Sequence, residues 1–489
     1  MKKFSPYLIS ILSLTLTAAC SDDDVNTTPD GGVVDADAAL TPDAETPSAS
    51  NSYVFESRFE TGVSPVSKSG QAFRQILISE LKSYMSGLTA TIDATPPNAG
   101  ETKAALEFYL DFDSTTSGTI PLTITTTPAT MQTVFNDVSS NKNLVGKVAG
   151  NDTVTDHKDW STEFVGWPGG NGDSPEALLR AWVQKVDDMA VARVATPELA
   201  PNGTVISEVY TTAQGQNLQQ LIQKLLLVSI GMSQGMDDYL DDDVEGKGLL
   251  SSNMQDGDTA HTGLGKAWDE AFGYFGASID YDQYTDDERA SKGGRDDYQG
   301  HHDLDANGAI DLVSEFNFGN SVNCGKRDRG SDTAAKTTFG DDAFTAFRDG
   351  RALILSVDGE LSPTQLDQLR GFRDTARNNW EKCVAATVIH YINEVEKDME
   401  DFDSDTYNFE THAKHWSELK GFALGFQFNP ASPMNSQSRF LELHGILGIA
   451  PVLATAPAKD ISDYKAGLTR IKMVMKAAYG FDDLNLAGW

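Results

Sequence analysis

The sequence predicts an all-α protein, mostly helical, built as one or two packed helical bundles with long loops and few short strands. Three observations carry that prediction. Apolar residues recur at three- and four-residue spacing through several windows too long for strands. Helix-start signals, Ser174-Pro175 and Ser362-Pro363-Thr364-Gln365, stand directly before two of those windows. Strand patterns are sparse, confined to residues 53–55, the threonine-rich run 120–127 and residues 203–210. With 39% hydrophobic and 9% aromatic residues over 489 positions, the chain also has the material for a core.

The chain opens on the basic Met1-Lys2-Lys3, and residues 7–19 are apolar but short for a membrane span, which is the form of an export signal. Thr17-Ala18-Ala19-Cys20 then places small residues before a lone cysteine and resembles a bacterial lipobox, with Thr17 where that pattern usually has Leu. Residues 1–19 are therefore expected to be a signal peptide and Cys20 a lipidated anchor. Ser21 after the cysteine resembles lipoproteins sent on to the outer membrane, and Asp22-Asp23-Asp24 resembles an acidic surface-export signal, so the body is expected on the periplasmic face or at the cell surface. Residues 20–52 carry no basic residue and almost nothing large and apolar, too little to offset chain entropy, and are expected to form a disordered acidic tether.

Residues 53–489 are expected to form the helical domain. The first helix is predicted through Phe73, Ile76, Leu77, Leu81, Tyr84 and Met85, followed by one near 101–111. Ser174 as N-cap and Pro175 as first helical residue open a helix with Leu178, Leu179, Trp182, Val186 and Met189 on one face. Residues 217–240 read as one long, leucine-rich helix, and a further one is predicted at 262–276. After one at 341–356, the capping box at Ser362 starts a pattern through Leu366, Leu369, Phe372, Trp380 and Val384 to about Met399. Helices near 411–425, 436–447 and 462–479 complete the series.

Composition excludes some functions. Lys+Arg 38 against Asp+Glu 72 leaves a net charge of −34, the wrong sign for binding nucleic acid through its phosphates. The glycine-rich stretch 166–172 lacks the Gly-Lys-Ser/Thr ending of a phosphate loop and reads as plain loop. Three cysteines are too few for a disulfide framework; Cys324 and Cys383 are left either to pair, in an oxidising compartment, or to stay free.

The clearest chemical motif is Asp303-Leu304-Asp305-Ala306-Asn307-Gly308-Ala309-Ile310-Asp311, which matches the start of a calcium loop. Alternate residues of a tight turn point oxygens inward, Gly308 allows the bend, and Ile310 is expected to pack the loop onto the body. Asp303, Asp305, Asn307, the Ala309 carbonyl, Asp311 and Glu315 are the expected Ca²⁺ ligands. Because the twelfth position is Ser314 and the acid follows at Glu315, and because 298–300 does not read as an entering helix, a setting other than helix-loop-helix is expected. The ion's expected role is structural, with His301 and His302 beside it solvated or supporting. A second constellation comes from His390 and Glu394, four apart on one helix face, from His415 and Glu418, three apart, and from His261 and Glu270. Brought together between helices, these would suit iron or zinc; apart, they would be ordinary buried pairs.

The segments Tyr53-Val54-Phe55-Glu56, Ser69-Gly70-Gln71, Trp268-Asp269-Glu270-Ala271-Phe272-Gly273-Tyr274-Phe275, Ser314-Glu315-Phe316-Asn317-Phe318-Gly319 and His415-Trp416-Ser417-Glu418 together resemble an uncharacterised lipoprotein family of Gram-negative bacteria, a domain-of-unknown-function group. The resemblance covers nearly everything after the tether. It implies company with imelysin-like proteins and outer-membrane uptake receptors, hence a role in iron acquisition. Imelysin proteins carry a G-x-H-x-x-E signature; here His415 and Glu418 match, while Ala413 replaces the glycine. The function expected is a non-enzymatic accessory protein that binds a metal or metal chelate. A metallopeptidase is the alternative, although H-E-x-x-H is absent, and a calcium-stabilised adhesion or polysaccharide-binding scaffold is another, with Trp160, Trp167 and Trp489 as platforms.

Overall fold

The computed structural model describes residues 51–152, 156–167, 174–295 and 298–489. The signal peptide, Cys20 and all but the end of the tether lie outside the described residues, as does most of the glycine-rich stretch. Within the described residues the elements are helices and loops, and the only β pairing is a handful of isolated bridges. None of these helices is long and apolar enough to cross a membrane.

The organising element is the 38-residue helix Pro363–Glu400. Its start is locked by a reciprocal cap: Ser362 Oγ accepts from the Gln365 N–H, and Gln365 Oε1 accepts from the Ser362 N–H at 2.9 Å. Its middle, from Cys383 to Ile392, is buried on every side, because Phe339–Ser356 and Phe409–Ala423 pack along it while Gly319–Arg329 and Ala458–Tyr479 cover the rest. Cys383 is disulfide-bonded to Cys324 on Gly319–Arg329, tying together positions 59 apart in sequence. One contiguous apolar core runs from Tyr53 to Trp489, so the two candidate bundles merge into a single packed body.

The expected helices are present, with Ser69–Ser86, Glu101–Leu110, Pro175–Ala192, Gly263–Phe275, Gln437–Leu447 and Ala458–Tyr479 close to their predicted places. Ser174 caps its helix by accepting from the Ala177 N–H. Two features depart from expectation. The segment read as one helix over 217–240 is α-helical over Leu218–Leu226 and then π-helical over Leu227–Tyr239. Gly231 and Gly235 line this wide coil where the Trp380 and Tyr274 side of the core presses closest; a Cβ on Gly235 would lie 2.6 Å from the Trp380 ring.

The second departure concerns the expected strands, which do not form among the described residues. Side-chain carboxylates take the backbone donors that a neighbouring strand would have taken. Glu80, buried, accepts from the Thr123 N–H at 2.7 Å and the Ile124 N–H at 3.2 Å. Glu410 does the same for Ser207 and Glu208 at 2.7 and 3.1 Å. Residues 53–55 run as an extended strap, with the Tyr53 N–H on the Ile279 carbonyl and its hydroxyl donating to buried Asp269, which also receives Arg351.

Candidate cation and ligand sites

The acidic loop is pinned to the body from two directions. Ile310 is wholly buried, and its backbone exchanges bonds with the 129–131 segment, through the Ile310 N–H to the Ala129 carbonyl and the Met131 N–H to the Ile310 carbonyl. Gly308 has a φ of +86°, the left-handed conformation that the turn requires. Carboxylate oxygens of Asp303, Asp305 and Glu315 lie within 4.8 Å of one another, close enough for one ion. This all-oxygen donor set fits a hard cation such as Ca²⁺. Burial pushes the Glu315 carboxyl up, opposed by the backbone bonds it accepts, and a cation would favour its charged form.

Two of the remaining expected ligands, Asp311 and Asn307, hold the loop together, as do the backbone bonds accepted by Asp303, Asp305 and Glu315. Asp311 accepts from Gln132 Nε2 at 2.7 Å, from the Val313 N–H and from Ser314 Oγ, and so fastens the loop to its support. Asn307 Oδ1 accepts from the Ala309 N–H, while its amide donates to Asp305. No helix enters the loop at 298–302, in keeping with a setting other than helix-loop-helix. His302 pairs with buried Asp280 at 3.1 Å, and the His301 ring stacks on Phe316.

The His and Glu candidates divide between four places. Helices Pro363–Glu400 and Phe409–Ala423 pack side by side, and the later part of the first and the first half of the second bring His390, Glu394 and His415 to the lining of one polar cleft of about 1290 Å³. His415 Nδ1 lies 2.8 Å from Asp398 Oδ2, and the Tyr391 ring centre is 4.9 Å from that of His390 and 6.3 Å from that of His415. Burial works to depress the His415 pKa; the Asp398 hydrogen bond and charge, with Glu418 and Glu394, outweigh it and hold it above the usual value. Glu418, by contrast, points into the core, where it pairs with Lys224 at 3.1 Å with both side chains 3% exposed. His261 lines a separate small pocket with Arg58 and Arg351, and Glu270 meets Tyr239 at the end of the π-helical segment.

Asp398 escaped the sequence reading, though its signal was available: 390, 394 and 398 are successive positions on one helix face. The rest of the cleft comes from distant segments, including Glu208, Glu410, Lys82 and Arg329. Its His and acid atoms do not form a closed cage. Among the described residues, three ligand atoms come within 4.8 Å of one another at the acidic loop and at Asp156, Asp237 and Asp238. The tryptophans named as adhesion platforms are mostly interior: Trp160 and Trp489 are buried, and Trp167 is half-buried against Trp182.

Comparison with known families adds one match. Residues 179–291 match a domain of unknown function, DUF4856. The DUF4856 segment starts inside Pro175–Ala192 and takes in the π-helical turn, Gly263–Phe275 and the short capped helix Asp286–Arg289. The acidic loop and the cleft residues His390, Glu394, Asp398 and His415 lie beyond it in sequence, but the matched segment lends the cleft Glu208, Tyr210, Asn217 and Gln220, and its Lys224 holds Glu418. No curated protein and no solved structure matches the chain.

Proposed function

We propose that the protein is an exported lipoprotein of the bacterial envelope that binds a metal chelate without transforming it, as an accessory to iron uptake, with a structural calcium ion in the loop 303–315. The observation that carries this reading is the polar cleft in which His390, Glu394, Asp398 and His415 share one wall. Two imidazoles and two carboxylates are suitable donors for iron or zinc. Because they are spread along a cleft of about 1290 Å³, larger than most small-molecule sites, they favour a ligand that brings part of its own coordination shell. The lining is of mixed charge, with Lys82, Arg329, Lys397 and Lys414 beside Glu208, Glu394, Asp398, Asp401 and Glu410, so it offers contacts to a ligand that carries both signs.

The buried Cys324–Cys383 disulfide supports export, since such bonds persist in oxidising compartments. The peptidase alternative loses weight because Glu418, the acid of the His415 pair, is committed to Lys224 and does not line the cleft. The test is made in the producing cell under iron limitation, with chromosomal His390→Ala plus His415→Ala. Slower growth that an excess of iron restores, at unchanged protein level, is the expected result. Unchanged growth under limitation would refute the iron-uptake role.

A further inference from the structure

The π-helical segment Leu227–Tyr239 is buried along its whole length up to Asp238, yet it carries Ser229, Ser233, Gln234, Asp237 and Asp238. Such polar content in the interior calls for partners. Several are missing. Asp237 is fully buried, and its Oδ1 has no hydrogen-bond partner; the same holds for Ser233 Oγ and for both amide atoms of Gln234, all at 0% exposure. Ser233 stands four positions before Asp237, and Gln234 four before Asp238, so each lies one turn back along the strip that its acid occupies.

A third carboxylate comes from outside the helix. Asp156, Asp237 and Asp238 each present an oxygen within 4.8 Å of the other two. Asp156 accepts from the Gly150 N–H at 3.2 Å through Oδ2, and its Oδ1 is buried without a partner. His157 Nδ1 lies 2.7 Å from Asp237 Oδ2, and the His157 backbone N–H donates to the same oxygen at 3.2 Å, which fixes the carboxylate with Oδ1 turned free. That is the arrangement in which an imidazole outside the coordination shell orients an acid inside it. Of the nearby lysines, Lys147 pairs with Asp152, while Lys158, hydrogen-bonded to Asn435, also feels the Asp237 charge.

We propose that Asp156, Asp237 and Asp238 hold a hard divalent cation of the Mg²⁺, Ca²⁺ or Mn²⁺ class inside the protein, with His157 positioning Asp237. The donors are oxygens, as those ions require. An ion would satisfy the orphaned carboxylate oxygens and cancel the repulsion between acids, both of which otherwise cost stability. Consistent with that repulsion, burial and the neighbouring Asp237 push the Asp156 carboxyl up to about 6. The site is distinct from the acidic loop and from the His390–His415 cleft, and it stands or falls independently of the iron-uptake reading.

The test uses the full mature chain carrying Asp303→Ala plus Asp305→Ala, so that the acidic loop is silent, after removal of divalent ions by chelation. Mn²⁺ is then titrated and followed by the loss of the free-ion electron paramagnetic resonance signal. One Mn²⁺ bound per chain is expected, competed by Ca²⁺. Adding Asp237→Asn, which keeps the shape and removes a charge, is expected to abolish that binding while raising the melting temperature of the ion-free protein. Asp156→Asn, at the half-buried edge, serves as the second variant and should weaken Mn²⁺ binding at least tenfold. No bound Mn²⁺ in the loop-silenced protein, or undiminished binding in both Asn variants, would overturn the proposal.

Discussion

Removing the Cys324–Cys383 bridge should expose how much the two halves of the core depend on it. The bond closes a loop spanning 59 positions. In the chain-entropy account such a constraint stabilises by about 3 kcal/mol for a 15-residue loop and about 4.7 kcal/mol for a 100-residue loop, which places this one near 4 kcal/mol. The perturbation is Cys324→Ala plus Cys383→Ala. Both cysteines are fully buried, so the variant also loses some packing, and the expected total is at least about 4 kcal/mol. The assay is urea denaturation of the mature protein followed by tryptophan fluorescence, justified by the buried Trp268, Trp380 and Trp416 around the same core. The wild type unfolded in reductant should shift toward lower urea in the same direction. Counting thiols in the unfolded, unreduced protein supplies a control, with neither cysteine expected to react. Two free thiols, or a transition midpoint unmoved by substitution and by reductant, would refute the reasoning and with it the support for export.

Three further outcomes follow from the packing and the charges. Asp303→Ala plus Asp305→Ala should lower the melting temperature only when calcium is present; with calcium at a hundred times its Kd, the lost stabilisation is about 2.7 kcal/mol, read as the difference between calorimetric scans with and without chelator. Gly235→Ala should destabilise by about 1–3 kcal/mol in the same urea assay, because its Cβ would meet the rigid, buried Trp380 ring at 2.6 Å. Burial lowers the Lys420 pKa to about 7, with its Nζ 2.9 Å from His444 Nδ1. The unfolded chain therefore holds that proton from about pH 7 up to the ordinary lysine value while the native protein has released it, so stability should rise with pH across that window. Lys420→Met should flatten the rise, as seen by comparing urea midpoints at pH 7 and pH 9.

Legibility from the sequence followed local physics. Helices with an apolar stripe and a start signal, such as Pro175–Ala192 and Pro363–Glu400, were readable because periodicity and capping are local properties. Gly319–Arg329 was not, since GNSVNCGKRDR has no apolar stripe, and its burial comes from Cys383 and from neighbours far along the chain. The α-to-π change after Leu226 was equally hidden, because the same residues fit either winding until Trp380 and Tyr274 press against Gly231 and Gly235. Threonine-rich 120–127 looked like a strand for its β-branched residues, but Glu80 captured its backbone donors.

The sites divide in the same way. Asp303, Asp305 and Glu315 converge through spacing within one loop, whereas Asp311 is diverted by Gln132, 179 positions away. His390, Glu394 and His415 line one cleft because their helices are neighbours in sequence and space, while His261 and Glu270, both half-buried, lie elsewhere. Glu418 was the least predictable: three residues from His415, it nonetheless faces inward to Lys224.

The central claim is that the cleft holds a metal chelate through its histidine wall. Isothermal titration of the purified mature protein with ferric citrate tests it most directly, with His390→Ala plus His415→Ala as the comparison. One-to-one binding by the wild type, weakened at least tenfold in a variant that keeps the wild-type melting temperature, is the result this account predicts. Absence of binding by the wild type, or equal affinity in the variant, would contradict it.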